Sequence, residues 1–266
     1  MLAVAKDARR RLEPDRSVSR RWRALGVDVQ VTALPASGAA VASGSRRTAL
    51  IGKQDDRLRR QYTIAHEFGH MLLADAKPRA RWKLDAEAEE TLCEQFASEL
   101  LIGRDRLASY LRMHGYPTDP RALLAVCSAF KVNLQPMFHA LRAPMADTST
   151  LLIASRLRGH ENRPGELAFR VEAAVGNQRI FVPRDQRLVS LGLDELAEQA
   201  GRLADRETVV GSDWPTFSPR RVAQPISVAE AQWKAMMVGG KDRLVLVALD
   251  VGNVVQPPIG PVALTA

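Results

Sequence analysis

The sequence predicts an α+β protein whose N-terminal part combines a small sheet with long helices. Three observations carry this prediction. Two short strands and three helices fall within residues 1–104, helices joined by short turns fill 105–147, and strand patterns recur over 148–266. A chain of 266 residues is long enough for two small domains or one large one. We therefore predict a first domain, a helical middle segment and a C-terminal mixed α+β domain with these boundaries.

The first elements of the chain are short. A basic amphipathic helix is predicted within residues 1–25, and Val27–Val31 alternates apolar and polar residues as a strand does. Thr48–Gly52 is predicted to form a second strand. Between the two strands, the Ala-, Ser- and Gly-rich segment 35–45 indicates a loop or hairpin connection.

The next element is a helix that carries the pattern His-Glu-x-x-His. His66 and His70 lie four residues apart, so on a helix they point the same way, one turn apart, and can bind one Zn²⁺. Glu67 is offset by about 100° and can flank the metal as the general base that takes a proton from the attacking water. Apolar neighbours indicate a buried helix, which argues against a solvated helix that carries the pattern by chance. Gly69 in mid-helix indicates the close approach of another element.

A third zinc ligand is expected from the helix predicted over Ala86–Ile102, because a catalytic zinc site takes three protein ligands. Glu90 lies beside the apolar stripe of this helix and is the predicted ligand. Glu94, one turn further, is placed to hydrogen-bond a ligand histidine. Glu89 also lies on the stripe and remains the rival ligand, whereas Glu99 falls on the far side and is expected to be solvated.

After this helix the pattern remains helical and then becomes that of strands. Three helices are predicted in the middle segment: Asp105–His114, Arg121–Phe130 and Leu134–Arg142. The last two have the spacing of a helix-turn-helix, but few of their side chains suit a DNA groove, which favours a plain helical hairpin. The C-terminal region is predicted to hold four strands and one helix: Leu151–Ala154, Glu166–Val171, Arg179–Val182 and Arg243–Leu249, with the helix over Leu193–Leu203.

The two motif helices together resemble the ImmA/IrrE metallopeptidases. Members of that family carry an arginine, an aromatic residue and threonine ahead of Ala-His-Glu-x-Gly-His, and then a glutamate followed by Phe-Ala and Leu-Leu-Met-Pro. The matching runs here are Arg60-Gln61-Tyr62-Thr63-Ile64-Ala65-His66-Glu67-Phe68-Gly69-His70 and Glu90-x-x-Cys93-Glu94-x-Phe96-Ala97-x-x-Leu100-Leu101-Ile102. The resemblance covers roughly residues 20–105. Two departures are Glu94, where the family usually has Asn or Asp, and Ile102-Gly103 in place of Met-Pro.

The resemblance implies a zincin-like peptidase core with zinc on His66, His70 and Glu90 and with Glu67 as general base. It also implies a protein substrate, typically a helix-turn-helix repressor whose cleavage derepresses stress or mobile-element genes. In some members a sensor-like domain of GAF type follows, here at 148–266. The competing hypothesis is a regulatory DNA- or protein-binding protein with a structural zinc site. An intact Glu67 favours the peptidase, because a structural site needs no base beside it.

Charge and cysteine content bear on partners and compartment. The net charge is +8, and arginine runs are frequent, but no dense basic stripe with interleaved aromatics appears. We therefore favour a protein partner over direct binding of nucleic acid. The two cysteines, Cys93 and Cys127, lie in apolar helical patterns, which indicates a reducing compartment. Because no segment has the pattern of a signal peptide or the length of a membrane span, we expect a cytoplasmic protein without membrane partners.

The sequence alone does not select the group that polarises the substrate carbonyl. Histidine and tyrosine side chains are the residue types that suit this role. The candidates are His114, His139, His160, Tyr62 and Tyr110.

Overall fold

The structure is a computed structural model, and the fold is of the mixed α+β class that the sequence predicts. The described residues are 2–11, 22–34, 38–43, 46–76, 84–159, 167–176, 187–189, 208–211, 216–218, 232–238 and 244–250. The chain divides into two compact units, and each is described by itself. The first unit comprises residues 1–115 and 125–140, and the second comprises 116–124 and 141–266.

A three-stranded sheet lies in the first unit. Its strands are β1 (Val27–Thr32), β2 (Gly38–Ser43) and β3 (Arg46–Gly52), in the order β1-β3-β2. β1 runs parallel to β3, and β2 pairs with β3 in the antiparallel direction. The expectation of a loop or hairpin connection over 35–45 is corrected here, because most of this segment is the strand β2. Residues 35–37 and 44–45 lie outside the described part of the chain.

Three helices pack with this sheet: α1 (Leu2–Arg11), α2 (Arg57–Ala76) and α3 (Ala86–Leu101). The Asp56 carboxylate accepts hydrogen bonds from the backbone N–H groups that open α2, and Asp85 caps α3 in the same way. Within the predicted basic helix over 1–25, residues 2–11 and 22–23 are helical and 24–25 form a turn, while residues 1 and 12–21 lie outside the described residues. The buried core joins the three helices to β1 and β3 through Ala5, Ala8, Trp22, Val27, Ala49, Ile51, Tyr62, Ile64, Ala65, Phe68, Met71, Phe96, Ala97 and Leu100.

The helices α2 and α3 approach each other closely at Gly69. A Cβ at this glycine would stand 3.2 Å from the Cys93 Cα atom, so a larger residue would push the helices apart. Close by, the rings of Phe68 and Phe96 meet edge to face with their centroids 5.7 Å apart. The expected close approach is confirmed, and it brings the histidines of α2 within reach of the glutamates of α3.

The predicted middle helices are confirmed to within a residue. They are α4 (Arg104–His114), α5 (Pro120–Phe130) and α6 (Leu134–Leu141). Phe130 packs edge to face against Tyr110, and the Arg106 guanidinium lies 5.2 Å from the centre of its ring. None of the described helices combines the length and apolar composition that a membrane span requires.

The second unit contains a seven-stranded sheet. Its strands are β4 (Thr150–Gly159), β5 (Leu167–Gly176), β6 (Arg187–Val189), β7 (Thr208–Gly211), β8 (Thr216–Ser218), β9 (Gln232–Val238) and β10 (Leu244–Asp250). Their order is β7-β9-β10-β4-β5-β6-β8, with antiparallel pairing between neighbours. Three predicted strands correspond to β4, β5 and β10. The strand predicted over Arg179–Val182 and the helix over Leu193–Leu203 lie outside the described residues.

Candidate metal centre

Two imidazoles converge where α2 faces α3. The Nε2 atoms of His66 and His70 lie 3.1 Å apart, and the rings meet edge to face. Burial lowers the pKa of His66, and the adjacent His70 lowers it further, whereas Glu90 and Glu94 raise it. The net lowering favours the neutral imidazole, which is the form that binds a metal.

Glu90 closes a triangle with the two histidines. Its Oε2 atom lies 3.1 Å from His66 Nε2, and its Oε1 atom lies 3.2 Å from His70 Nε2. In a tetrahedral zinc site with bonds of about 2.0–2.1 Å, neighbouring ligand atoms stand about 3.3 Å apart. The two histidine nitrogens and the Glu90 carboxylate therefore have spacings close to those of neighbouring zinc ligands, although each histidine faces a different Glu90 oxygen. Among the residues that the structure describes, no other three His, Cys, Asp or Glu side chains form such a group.

The triangle is more open on the side of Glu90. The Glu90 side chain is 56 % exposed, whereas those of His66 and His70 are 16 % and 22 % exposed. A cation held by these three donors would keep a position that water or substrate can reach. Three ligands and one open position distinguish catalytic zinc sites from structural ones, which are closed by four protein ligands.

Glu89 and Glu94 lie beside this triangle in different places. Glu89 Oε1 is 3.3 Å from Nδ1 of His70, the ring nitrogen that faces away from the triangle. A carboxylate at this nitrogen orients a ligand histidine and raises its basicity. Glu94, which the sequence placed at a ligand histidine, has its Oε2 atom 3.4 Å from Nε2 of His139 on α6. Sequence reasoning did not foresee either pair, because each depends on how the helices pack.

Glu67 lies next to the metal ligands and under β2. A Cβ on Gly38 of β2 would stand 3.0 Å from Glu67 Oε1, so the strand passes close over this carboxylate. Burial raises the pKa of Glu67, His70 lowers it, and Glu90 raises it. A carboxylate whose pKa is raised toward neutrality is better suited to general-base chemistry than an ordinary one.

The expectation that Glu99 is solvated was wrong. Its side chain is 1 % exposed, and Oε1 lies 3.3 Å from Nη1 of Arg9. The backbone N–H of Arg104 also donates to Oε2, at 3.2 Å. The helix α1 covers this side of α3, and the apolar stripe of α3 alone could not reveal a second covered face.

The candidates for polarising the substrate carbonyl differ in their surroundings. His114 is exposed and stacks on Tyr110 of the same helix, with ring centroids 4.2 Å apart. Tyr62 lies one turn before His66, and its buried hydroxyl has no hydrogen-bond partner within the described part of the chain. Burial raises the pKa of Tyr62, and the carboxylates of Glu94 and Glu90 raise it further. His160 lies outside the described residues.

Comparison with known proteins places this geometry in a family. Residues 23–142 match the family model of the IrrE N-terminal-like domain. A search of curated proteins found no match. Among solved structures, a Mycobacterium tuberculosis transcriptional regulator is similar with a TM-score of 0.54 and 13 % identity, over 93 % of this chain and 86 % of that chain. At this identity the likeness concerns the fold alone. Since the family match spans both motif helices and the helices α4 to α6, residues 23–142 are similar to the IrrE N-terminal-like domain, which supports the resemblance to the ImmA/IrrE family.

Proposed function

We propose that the protein is a zinc-dependent endopeptidase that cleaves a helix-turn-helix transcriptional repressor and so derepresses stress or mobile-element genes. The observation that carries this proposal is the convergence of His66 Nε2, His70 Nε2 and the Glu90 carboxylate. Their spacing suits zinc, and the family match is to a peptidase domain.

The side chains around this point suit peptide hydrolysis. Zinc, when bound, polarises a carbonyl and lowers the pKa of water. Glu67 takes the proton from the attacking water and can return it to the leaving amine. Burial, which raises the pKa of Glu67, suits a group that must both accept and release a proton. Glu89 holds the ring of His70 in the orientation that points Nε2 at the other two donors.

The strand β2 is positioned to hold a peptide beside Glu67. It is an outer strand of the described sheet and pairs there with β3 alone. An extended substrate can add to the outer edge of such a strand through backbone hydrogen bonds. Because Gly38 lies close to the Glu67 carboxylate, a substrate paired with β2 would carry its backbone past the general base. This arrangement favours an extended, locally unfolded segment of a protein as substrate.

The repressor as substrate follows from the resemblance of the motifs to the ImmA/IrrE peptidases. The solved structure of similar fold is described as a transcriptional regulator, which agrees with a role in gene control. The second unit, with its seven-stranded sheet, is proposed to hold the substrate or to sense a signal. A regulatory protein with a structural zinc site would not need Glu67 beside the metal.

The test compares the wild-type protein with Glu67→Gln, both loaded with zinc, on helix-turn-helix repressors from the same genome. Wild type is expected to cut one of them, and Glu67→Gln to bind zinc equally well but to cut at least about 100-fold more slowly, since it lacks the base. Glu87→Gln, the same change at an exposed position of α3, is the control and should cut normally. Equal cleavage by the Glu67 variant would refute the role of this base. A wild type that cuts no repressor would favour the structural zinc site.

A further inference from the structure

A carboxylate–imidazole pair adjoins the metal ligands and joins a third helix to them. Glu94 lies one turn after Glu90 on α3, and His139 lies on α6. Nε2 of His139 is 3.4 Å from Oε2 of Glu94, and both side chains are mostly shielded from solvent, at 16 % and 24 % exposed. The pair is part of the first compact unit, which includes residues 125–140.

The register of α2 and α3 places the Glu94 end of this pair near the metal site. The arrangement of α2 and α3 that brings His66 to Glu90 also brings Tyr62, one turn before His66, to the level of Glu94, one turn after Glu90. A fixed negative charge at this place stabilises a cation held by His66.

We propose that His139 is a positioning residue of the metal centre, and that its imidazole holds the Glu94 carboxylate beside His66 and Tyr62. The inference rests on the proposed zinc site. His139 does not reach the reacting atoms in this account and acts only through Glu94. When the imidazole is replaced by an apolar side chain, the carboxylate loses a donor that fixes its rotamer, and it rotates. The rotation moves negative charge away from His66 and weakens metal binding.

The consequence is that α6 belongs to the metal site. Its likeness to the second helix of a helix-turn-helix is then secondary to a role in supporting the zinc ligands. The family match extends to residue 142 and therefore includes α6, which agrees with this assignment.

The test measures the zinc dissociation constant of the full chain by competition with a chelator. His139→Met and His139→Leu both remove the N–H donor and fill the space of the imidazole. Two variants are used so that the test remains possible if one of them fails to fold. Both are expected to bind zinc about 10-fold or more weakly, the lower end of the range for groups that support a ligand. His139→Gln keeps an N–H donor and should bind close to wild type. His114→Leu, at the exposed histidine of α4, is the matched control and should not change the constant.

A double-mutant cycle separates action through Glu94 from a general structural effect. Glu94→Gln alone should also weaken zinc binding, and adding His139→Met to it should change the constant by less than about twofold, because coupled groups are not additive. Replacing zinc by Co²⁺ gives a second readout, since its visible spectrum should change in His139→Met and not in His139→Gln. Unchanged zinc binding in the apolar variants, or additive effects in the cycle, would overturn the role of His139 and leave the zinc site standing. A wild type that binds no zinc would instead overturn the proposed function.

Discussion

The glutamates of α3 differ in what they contact, although they share one helix. Glu90 reaches both Nε2 atoms of the histidine pair, and Glu89 lies at the opposite ring nitrogen of His70. Glu94 pairs with His139, while Glu99 is buried against Arg9. The neighbouring element at each position decides what the carboxylate does, and so the four positions should respond differently to mutation.

Alanine substitutions at Glu89, Glu90 and Glu94 should weaken zinc binding to different extents. Glu89→Ala is expected to raise the zinc dissociation constant by about 10- to 100-fold, the range for groups that orient a ligand, with Glu94→Ala in the same range. Glu90→Ala should raise the constant further, because it removes a ligand atom. Chelator competition on the three single variants checks the order. A larger loss for Glu89→Ala than for Glu90→Ala would show that Glu89 is the ligand.

Glu99→Ala should affect stability and leave zinc affinity unchanged. It would leave the partly buried Arg9 guanidinium without its carboxylate, and breaking such a pair costs about 3 kcal/mol or more of the free energy of unfolding. Lys6, also on α1, forms an exposed ion pair with Asp105 of α4. Lys6→Ala removes this pair and should lower the free energy of unfolding by no more than about 1 kcal/mol. Urea denaturation of both variants measures the difference. Equal stabilities would contradict the role of Glu99 as a buried partner of α1.

At the residue scale, the sequence predicts local relations well and distant ones poorly. His66, Glu67 and His70 form one motif on one helix, so their relative directions follow from helix geometry. The surroundings of Glu99 depend on Arg9, which is far away in sequence and reaches α3 only after the chain folds. The contact between Glu94 and His139 also joins residues distant in sequence, so it cannot be predicted from the spacing of residues on α3.

At the scale of elements, the strand β2 was not foreseen because of its composition. Its residues, Gly38 to Ser43, are nearly all small and favour strands weakly. This segment forms a strand because it pairs with β3 and packs against α2. Neither contact can be predicted from the residues of the segment itself. The helices α3 to α6 were predicted to within a residue, because their apolar periodicity is clear and their ends are marked by residues such as Asp85.

The contact between β2 and α2 predicts the effect of Gly38→Ala. The new Cβ would overlap Thr63 Cγ2 and crowd the Glu67 carboxylate, so β2 must move away from the general base. A displacement of about 1 Å near reacting groups costs on the order of 100-fold in rate. We therefore expect a loss of cleavage of this order with unchanged zinc content. Rates of repressor cleavage with metal analysis measure both quantities.

Two further variants isolate the cause. Thr63→Ser removes the methyl group that the new Cβ would meet, so the double variant with Gly38→Ala should recover part of the lost rate. Ala40→Ser, at an exposed position of β2, should leave the rate unchanged. If Gly38→Ala cleaves like wild type, β2 does not set the position of the substrate.

At the scale of the whole molecule, the two compact units suggest a division of work. The metal ligands and residues 134–140 of α6 lie in the first unit, whereas residues 116–124 and 141–266 lie in the second. We propose the boundaries 1–104, 105–147 and 148–266 as a working division into peptidase domain, helical segment and C-terminal domain. The contact of Glu94 with His139 ties the helical segment to the peptidase part.

Truncation tests this division. A chain that ends after residue 147 should bind zinc within about threefold of wild type, because the elements that hold the ligands are retained. It should lose selective cleavage of the natural repressor if the second unit holds the substrate or senses the signal. A chain that ends after residue 104 lacks α6 and should bind zinc about 10-fold or more weakly, as expected for loss of a group that supports a ligand. Metal analysis and cleavage assays on soluble protein measure these outcomes. Cleavage at the wild-type rate by the longer fragment would exclude the C-terminal region from recognition.

The zinc content of the purified protein tests the central claim most directly. Three ligands with an open fourth position predict about one zinc ion per chain after equilibration with micromolar zinc. His66→Ala or His70→Ala should abolish this binding, because either change removes one of the three donor atoms. One zinc per chain in wild type and none in these variants is the predicted result. A wild-type protein that remains metal-free at micromolar zinc would contradict the account.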